Sequence, residues 1–346
     1  MFVIIDGINN LAKKNTVMKR AIILFLSVLA ISISPIKAQF FGKDIEDANK
    51  IKSSILGVVA YEPGERILKQ FRKDPERLKQ YKEEVLQMNQ MIKEAMEKEW
   101  SFSGKLEFLT QEQADKIIDE KNEDYCLLQV QKVKNYKMND FYSPNPNFGF
   151  NSAADFAYHM QMVGKNNALL IKWGGKPKIE IVRTPFPKIG VSKGGILFMV
   201  NNLQNQLVDL TEGGINKISK LKKDVKSRTS KLRDKTLLIP KSLMSKGLSK
   251  QIEKEKLNKY YPNKYKVVDE KELDEIILEK NKDYAYFSIL SAFAEMKGKE
   301  LYNYFIVDAE DSRFLFMTGS AVAGANGQIH HGQLMMAERD AKKSQL

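Results

Sequence analysis

Apolar residues along this chain fall into two kinds of pattern. Short runs such as Leu-Gly-Val-Val at 56–59 and Leu-Leu-Ile at 237–239 suit buried strands, whereas Ala114, Ile117 and Ile118 recur at i, i+3, i+4, the stripe of a short helix laid on a sheet. The same stripe returns as Leu273, Ile276 and Ile277. Both belong to a longer match: residues 105–125 and 264–284 align without a gap, 159 positions apart, and share Glu-Lys-Asn-x-Asp-Tyr. Such a match predicts two copies of one folding unit.

The helix within each copy carries its own start and stop signals. Thr110 with Gln113, and Asp269 with Glu272, fit the reciprocal capping box that satisfies free backbone N–H groups at a helix start. Asn122 and Asn281 stand where the helix must stop, and Asn tolerates the left-handed conformation common there. The shared string, including Asp124, Tyr125, Asp283 and Tyr284, thus has a structural explanation. A strand over 55–60 leads to a long helix over 75–100, marked by Leu78, Tyr81, Val85, Met88, Ile92 and Met96. A strand near 236–239 opens the second copy. Downstream, 168–173 with 178–183, and 301–307 with 313–317, read as hairpins. The expected fold class is α/β: two tandem β-α-β-α-β-β-β units with mixed sheets, joined by a helical spacer.

This order of strand, long helix, strand, short capped helix and an acidic residue opening the next strand resembles the small α/β module of Tol-system translocation protein N-terminal domains and of curli-secretion-type envelope proteins. The resemblance covers about 55–183 and 236–318. It implies a contact domain of envelope assemblies without a catalytic set, so it assigns no site residue. The chain departs from those proteins in carrying the unit twice, with a long spacer and no downstream propeller or pore segment.

The N-terminus places the chain in the same setting. Lys19-Arg20 precedes an apolar run over 21–33 that ends at Ser34-Pro35 with a small residue at Ala38, an export signal that predicts a mature start at Gln39. Met18 is an alternative translation start. The run is shorter than the roughly 20 residues a bilayer span needs, and no transmembrane segment is expected once it is removed. Expected divisions are the signal at 1–38, a first unit at 39–190 with an inserted loop at 135–166, a basic spacer at 191–235, a second unit at 236–318 and a tail at 319–346. The expected location is the periplasm or surface of a Gram-negative-type cell. A lone cysteine, Cys126, excludes an intramolecular disulfide and reads as a small buried hydrophobe.

Charge is concentrated. The whole chain is +13, and residues 217–259 hold 15 Lys or Arg against 4 Asp or Glu. Within them Lys220, Lys222, Lys223, Lys226, Arg228, Lys231 and Arg233 lie on about four helical turns, a candidate contact surface for an envelope protein or an anionic surface (lipid, lipopolysaccharide or glycan). A solvated helix face is the competing reading. Nucleic acid is not expected for an exported chain without a nucleic-acid motif.

Two further segments distinguish the copies. The 135–166 insertion carries Phe141, Tyr142, Phe148 and Phe150 among Asn, Pro and Gly, a candidate recognition loop for a sugar or peptide; covering a sheet edge is the alternative. The tail, read as flexible with a helix near 329–336, holds His330 and His331, whose adjacency is not the i, i+4 spacing suited to zinc. No metal or cofactor is expected. There is no Gly-x-Ser-x-Gly, phosphate loop, dinucleotide fingerprint or His-Glu-x-x-His. The expected function is a non-catalytic interaction or scaffolding module, with a carboxylate-based hydrolase of an envelope polymer or a small-ligand binder as alternatives.

Overall fold

The computed structural model describes residues 45–63, 68–69, 73–138, 160–296, 299–319 and 327–344. After helix α1 (Ile45–Ser53), the first unit runs β1 (Ile55–Val59), α2 (Pro75–Glu99), β2 (Lys105–Leu109), α3 (Gln111–Asp119), β3 (Tyr125–Met138), β4 (Met160–Trp173) and β5 (Glu180–Pro185). Two helices follow, α4 (Lys193–Thr211) and α5 (Ile218–Arg228), then a 3-10 turn (Thr229–Arg233). The second unit runs β6 (Thr236–Pro240), α6 (Lys246–Glu253), β7 (Tyr265–Val268), α7 (Glu270–Leu278), β8 (Tyr284–Met296), β9 (Lys299–Asp308) and β10 (Phe314–Gly319), and α8 (His331–Lys343) ends the described chain. Element order is the same in both units, consistent with a tandem two-copy arrangement.

Each unit is a five-stranded mixed sheet, ordered β2-β1-β3-β4-β5 and β7-β6-β8-β9-β10. The register repeats as well. Leu56 lies beside Cys126, and Leu237 beside Ala285. The far ends of β3 and β8 pair in parallel, Tyr136 with Ala294, and join the two sheets.

Helix starts form as the capping residues predict, with one difference. Thr110 and Gln113 make the full reciprocal box. In the second unit Asp269 caps Glu272 at 2.9 Å, but the Glu272 carboxylate pairs with Lys266 instead of reaching back. The helix stops differ from expectation. The left-handed residues are Lys121 and Lys280, both at φ 51°, one position before the asparagines. Asn122 and Asn281 act through their side chains, whose oxygens accept the N–H groups of Asp124 at 2.9 Å and Asp283 at 3.1 Å. That bond fixes the turn, so the preceding lysine takes the positive φ.

The helix after β5 is more than a joint between units. Ile196, Leu197, Phe198, Met199, Val200, Leu203, Leu207 and Leu210 are all buried. They share one core with Leu56, Val58, Cys126 and Leu128 of the first sheet and with Leu238, Tyr286, Leu273 and Ile277 of the second unit. Register shows that these are opposite faces: the positions matching Leu56, Val58 and Cys126 are Leu237, Ile239 and Ala285, which belong to a second core. The units therefore stack front to back with α4 between them. The outer face of the second unit is closed by Leu232 of the 3-10 turn, Leu248 of α6, and Leu334 and Ala337 of α8. This corrects the expectation of a flexible tail: residues 331–343 form a docked helix.

Polar links span the stack. The Gly194 N–H at the start of α4 donates to Asp274 of α7 at 2.6 Å. Lys193 meets Glu94 of α2 at 3.2 Å, Lys280 pairs with the buried Glu99 of α2, and Lys52 meets Glu212 at 2.9 Å. Inside the second unit, buried Lys235 and Asp308 form an ion pair at 2.9 Å. No helix among the described residues is long and apolar enough to cross a membrane.

Candidate functional site

The basic segment divides by burial. Ile218, Leu221 and Val225 mark the inner side of α5; Leu221 and Val225 are buried, and the helix rests on β10. Thr229 caps back onto the Val225 carbonyl at 3.0 Å, and Leu232 is fully buried. These contacts orient the seven sequence candidates. Lys220, Lys223, Lys226 and Lys231 are exposed, while Lys222, Arg228 and Arg233 are half-buried. Burial pushes the Lys222 ammonium below its ordinary pKa, because desolvation disfavours the charged form.

Both arginines turn toward carboxylates. Arg228 pairs with Asp224 one turn earlier on α5. Arg233 lies 4.0 Å from Glu338 of α8, a residue only 5 % exposed that also receives Lys342 at 3.2 Å and the Asn263 amide at 2.6 Å. The structure thus keeps four of the seven on the surface and uses two to anchor their own helices. Phe141, Tyr142, Phe148 and Phe150 lie outside the described residues.

Sequence reading missed a neighbouring surface. α8 packs on the 3-10 turn and on α6, and carries exposed Arg339, Lys342 and Lys343 with Met335 about half exposed. α6, within the basic 217–259 segment read from the sequence, adds exposed Lys246 and Lys250. The signal available was the spacing of Leu334, Ala337, Glu338 and Ala341, an apolar stripe interrupted by one acid that needs a partner. The result is a cationic flank that wraps the β10 edge of the second unit: α5 packs on the inter-unit core through Leu221 and Val225, while the 3-10 turn, α8 and α6 cover the outer face.

The concave sites have other chemistry. Between the units, Ser192, Asp274, Tyr286, Ser288 and apolar neighbours line a small cavity of about 40 Å³, enough for a few waters at most. A larger hollow of about 200 Å³ lies at the end of the first sheet, lined by Asp47, Lys50, Glu123, Asp124, Trp173 and Lys176. Its groups are engaged with each other: the Trp173 indole N–H donates to Asp47 at 3.2 Å, Lys50 sits 5.6 Å from the Trp173 ring centre, and Lys176 is 3.8 Å from Glu123. Among the described residues no group of three or more His, Cys, Asp or Glu is placed to hold a metal ion. Cys126 is fully buried and its thiol is pushed up to about 12 by burial, which withholds the thiolate a nucleophile requires. Tyr125 spends its hydroxyl on Glu107 at 2.8 Å.

Comparison with protein-family models, curated proteins and solved structures finds no match to this chain.

Proposed function

We propose that the chain is an exported, non-catalytic interaction module of the cell envelope that meets an anionic partner through the cationic flank of its second unit. The observation that carries the reading is the outward placement of Lys220, Lys223, Lys226 and Lys231, none of them in an ion pair among the described residues, on elements whose inner sides are packed. Exposed charges of one sign attract an anionic surface over about 10 Å at 0.1 M salt. The apolar run at 21–33 and the resemblance to envelope contact modules supply the setting. Replacing these four lysines by Gln should weaken binding to envelope fractions and flatten its salt dependence. Unchanged binding with an unchanged salt slope rejects the reading.

The hydrolase alternative has one observation in its favour, the hollow beside Asp47, Glu123, Asp124 and Trp173. Release of soluble fragments from an envelope polymer by the wild-type chain, abolished by Asp124→Asn, would select it instead.

A further inference from the structure

We infer that the partner of the cationic flank is an anionic lipid surface, and that α8 forms part of the contact. This rests on the reading above and narrows it from an anionic partner to a bilayer interface.

Three features argue for a diffuse planar partner over a folded protein. The outward cations on α5, the 3-10 turn and α6 are all lysine, and α8 adds Lys342, Lys343 and Arg339, whereas Arg228 and Arg233 face internal carboxylates. Arg is the residue suited to planar, two-pronged recognition of carboxylates; lysine is a mobile point charge on a flexible stem. A surface whose outward cations are lysine apart from Arg339 is arranged for charge density more than for geometry.

One hollow reaches the flank, where Leu221 and Arg228 of α5 meet Asp209, Arg313 and Phe314, and at about 30 Å³ it is too small to seat a peptide. The cavity between the units and the hollow by Trp173 are lined by none of these lysines. The outer edge at β10 is flanked by α5 and the 3-10 turn, which pack against that strand.

Finally, Met335 stands about half exposed on α8 in helical register with exposed His331 and Arg339. An exposed apolar side chain one turn from Arg339 suits the boundary between lipid headgroups and acyl chains, where apolar contact adds to charge attraction. Arg339 and Lys342 also contact Asp340 at 3.7 Å and Glu338 at 3.2 Å, so their outward attraction is partly offset, and Lys343 contributes most fully.

The test is co-sedimentation with vesicles, using the chain from Gln39 onward so that the 21–33 run cannot itself insert. Binding is expected to vesicles containing phosphatidylglycerol, to fall with added salt, and to be weak to phosphatidylcholine alone. Arg339→Gln with Lys343→Gln should lower the apparent partition by up to about fivefold per charge removed, and Met335→Gln should lower it further. The same double substitution at Lys79 and Lys82 of α2 should leave it unchanged, with melting curves verifying the fold of every variant. Equal binding to both vesicle types overturns the inference, as does indifference to the α8 substitutions. Binding to dextran sulfate or to an envelope protein, but not to vesicles, also overturns it. If either of those two still depends on Lys220, Lys223, Lys226 and Lys231, the proposed function stands while the lipid assignment falls.

Discussion

Removing the Asp274 carboxylate should loosen the contact that seats α4 between the units. Its Oδ1 accepts the Gly194 N–H at 2.6 Å, in the first turn of α4, while Ser192 accepts the Gly195 N–H at 3.0 Å. A bond from a backbone donor to a charged group contributes about 1.5–3 kcal/mol, and the positive end of the helix dipole adds a few tenths. Asp274 is half-buried, so solvent screening places the loss for Asp274→Ala near the bottom of that range, about 1.5–2 kcal/mol. Asp274→Asn keeps an acceptor without the charge and should recover about half. Gly194→Ala probes the same contact sterically: an added Cβ would lie 2.6 Å from Asp274 Oδ1 and 3.1 Å from Ile277 Cβ. It should be destabilising in the wild-type background and at least about 1 kcal/mol less so with Asp274→Ala, because contacting residues couple by 0.5–3 kcal/mol. Urea denaturation measures each variant, with the midpoint moving and the slope constant. Additive effects within about 0.3 kcal/mol, or an Asp274→Ala chain as stable as wild type, would refute the reasoning.

Three other outcomes follow from buried and half-buried groups. Lys280→Met should cost about 1–3 kcal/mol because it leaves Glu99, whose side chain is 8 % exposed, with only the looser contact to Lys98 at 3.9 Å, and adding Glu99→Gln should restore most of the loss; urea midpoints of the single and double variants decide it. Cys126, with its thiol pushed up to about 12, should resist a thiol-specific reagent at pH 8 in the folded chain and react at once when urea unfolds it. Burial, then the charge of His331, lowers the His330 pKa, so its contribution is present above the unfolded value of about 6.5 and is lost as pH falls through the depressed folded value. The wild-type urea midpoint should therefore drop more between pH 7.5 and 5 than that of His330→Gln, and parallel curves would contradict this.

Local rules were legible because they depend on a few neighbouring residues. The box at Thr110 and Gln113, the stripe at Leu273, Ile276 and Ile277, and the hairpins needed only spacing and turn chemistry. The role of α4 was harder to see because Ile196, Met199, Val200, Leu203, Leu207 and Leu210 on their own form one amphipathic stripe. Leu197 and Phe198 lie off that stripe and are also buried, the sign of a helix covered on more than one side. The tail was misread for a different reason. Leu334, Ala337 and Ala341 offer little apolar area of their own, and they dock only because the outer face of the second sheet is there to receive them. Likewise nothing within 217–235 reveals that Arg233 turns toward Glu338, over a hundred residues away.

Setting the two arginines aside sharpens what is left of the basic segment. α4 accounts for the structural need to join the units, so a polar outer surface on α5 has no joining task that would require its particular composition. Lys220 and Lys223, and Lys223 and Lys226, are three apart on that helix, and Lys222 and Lys226 are four apart. Like charges at such spacings destabilise a helix by about 0.2–0.5 kcal/mol per pair. The chain elsewhere relieves this repulsion with interleaved acids, as in Lys93 with Glu97 and Lys116 with Glu120, whereas on α5 the one acid, Asp224, is taken by Arg228. This retained repulsion is what the proposed anionic partner would relieve on contact.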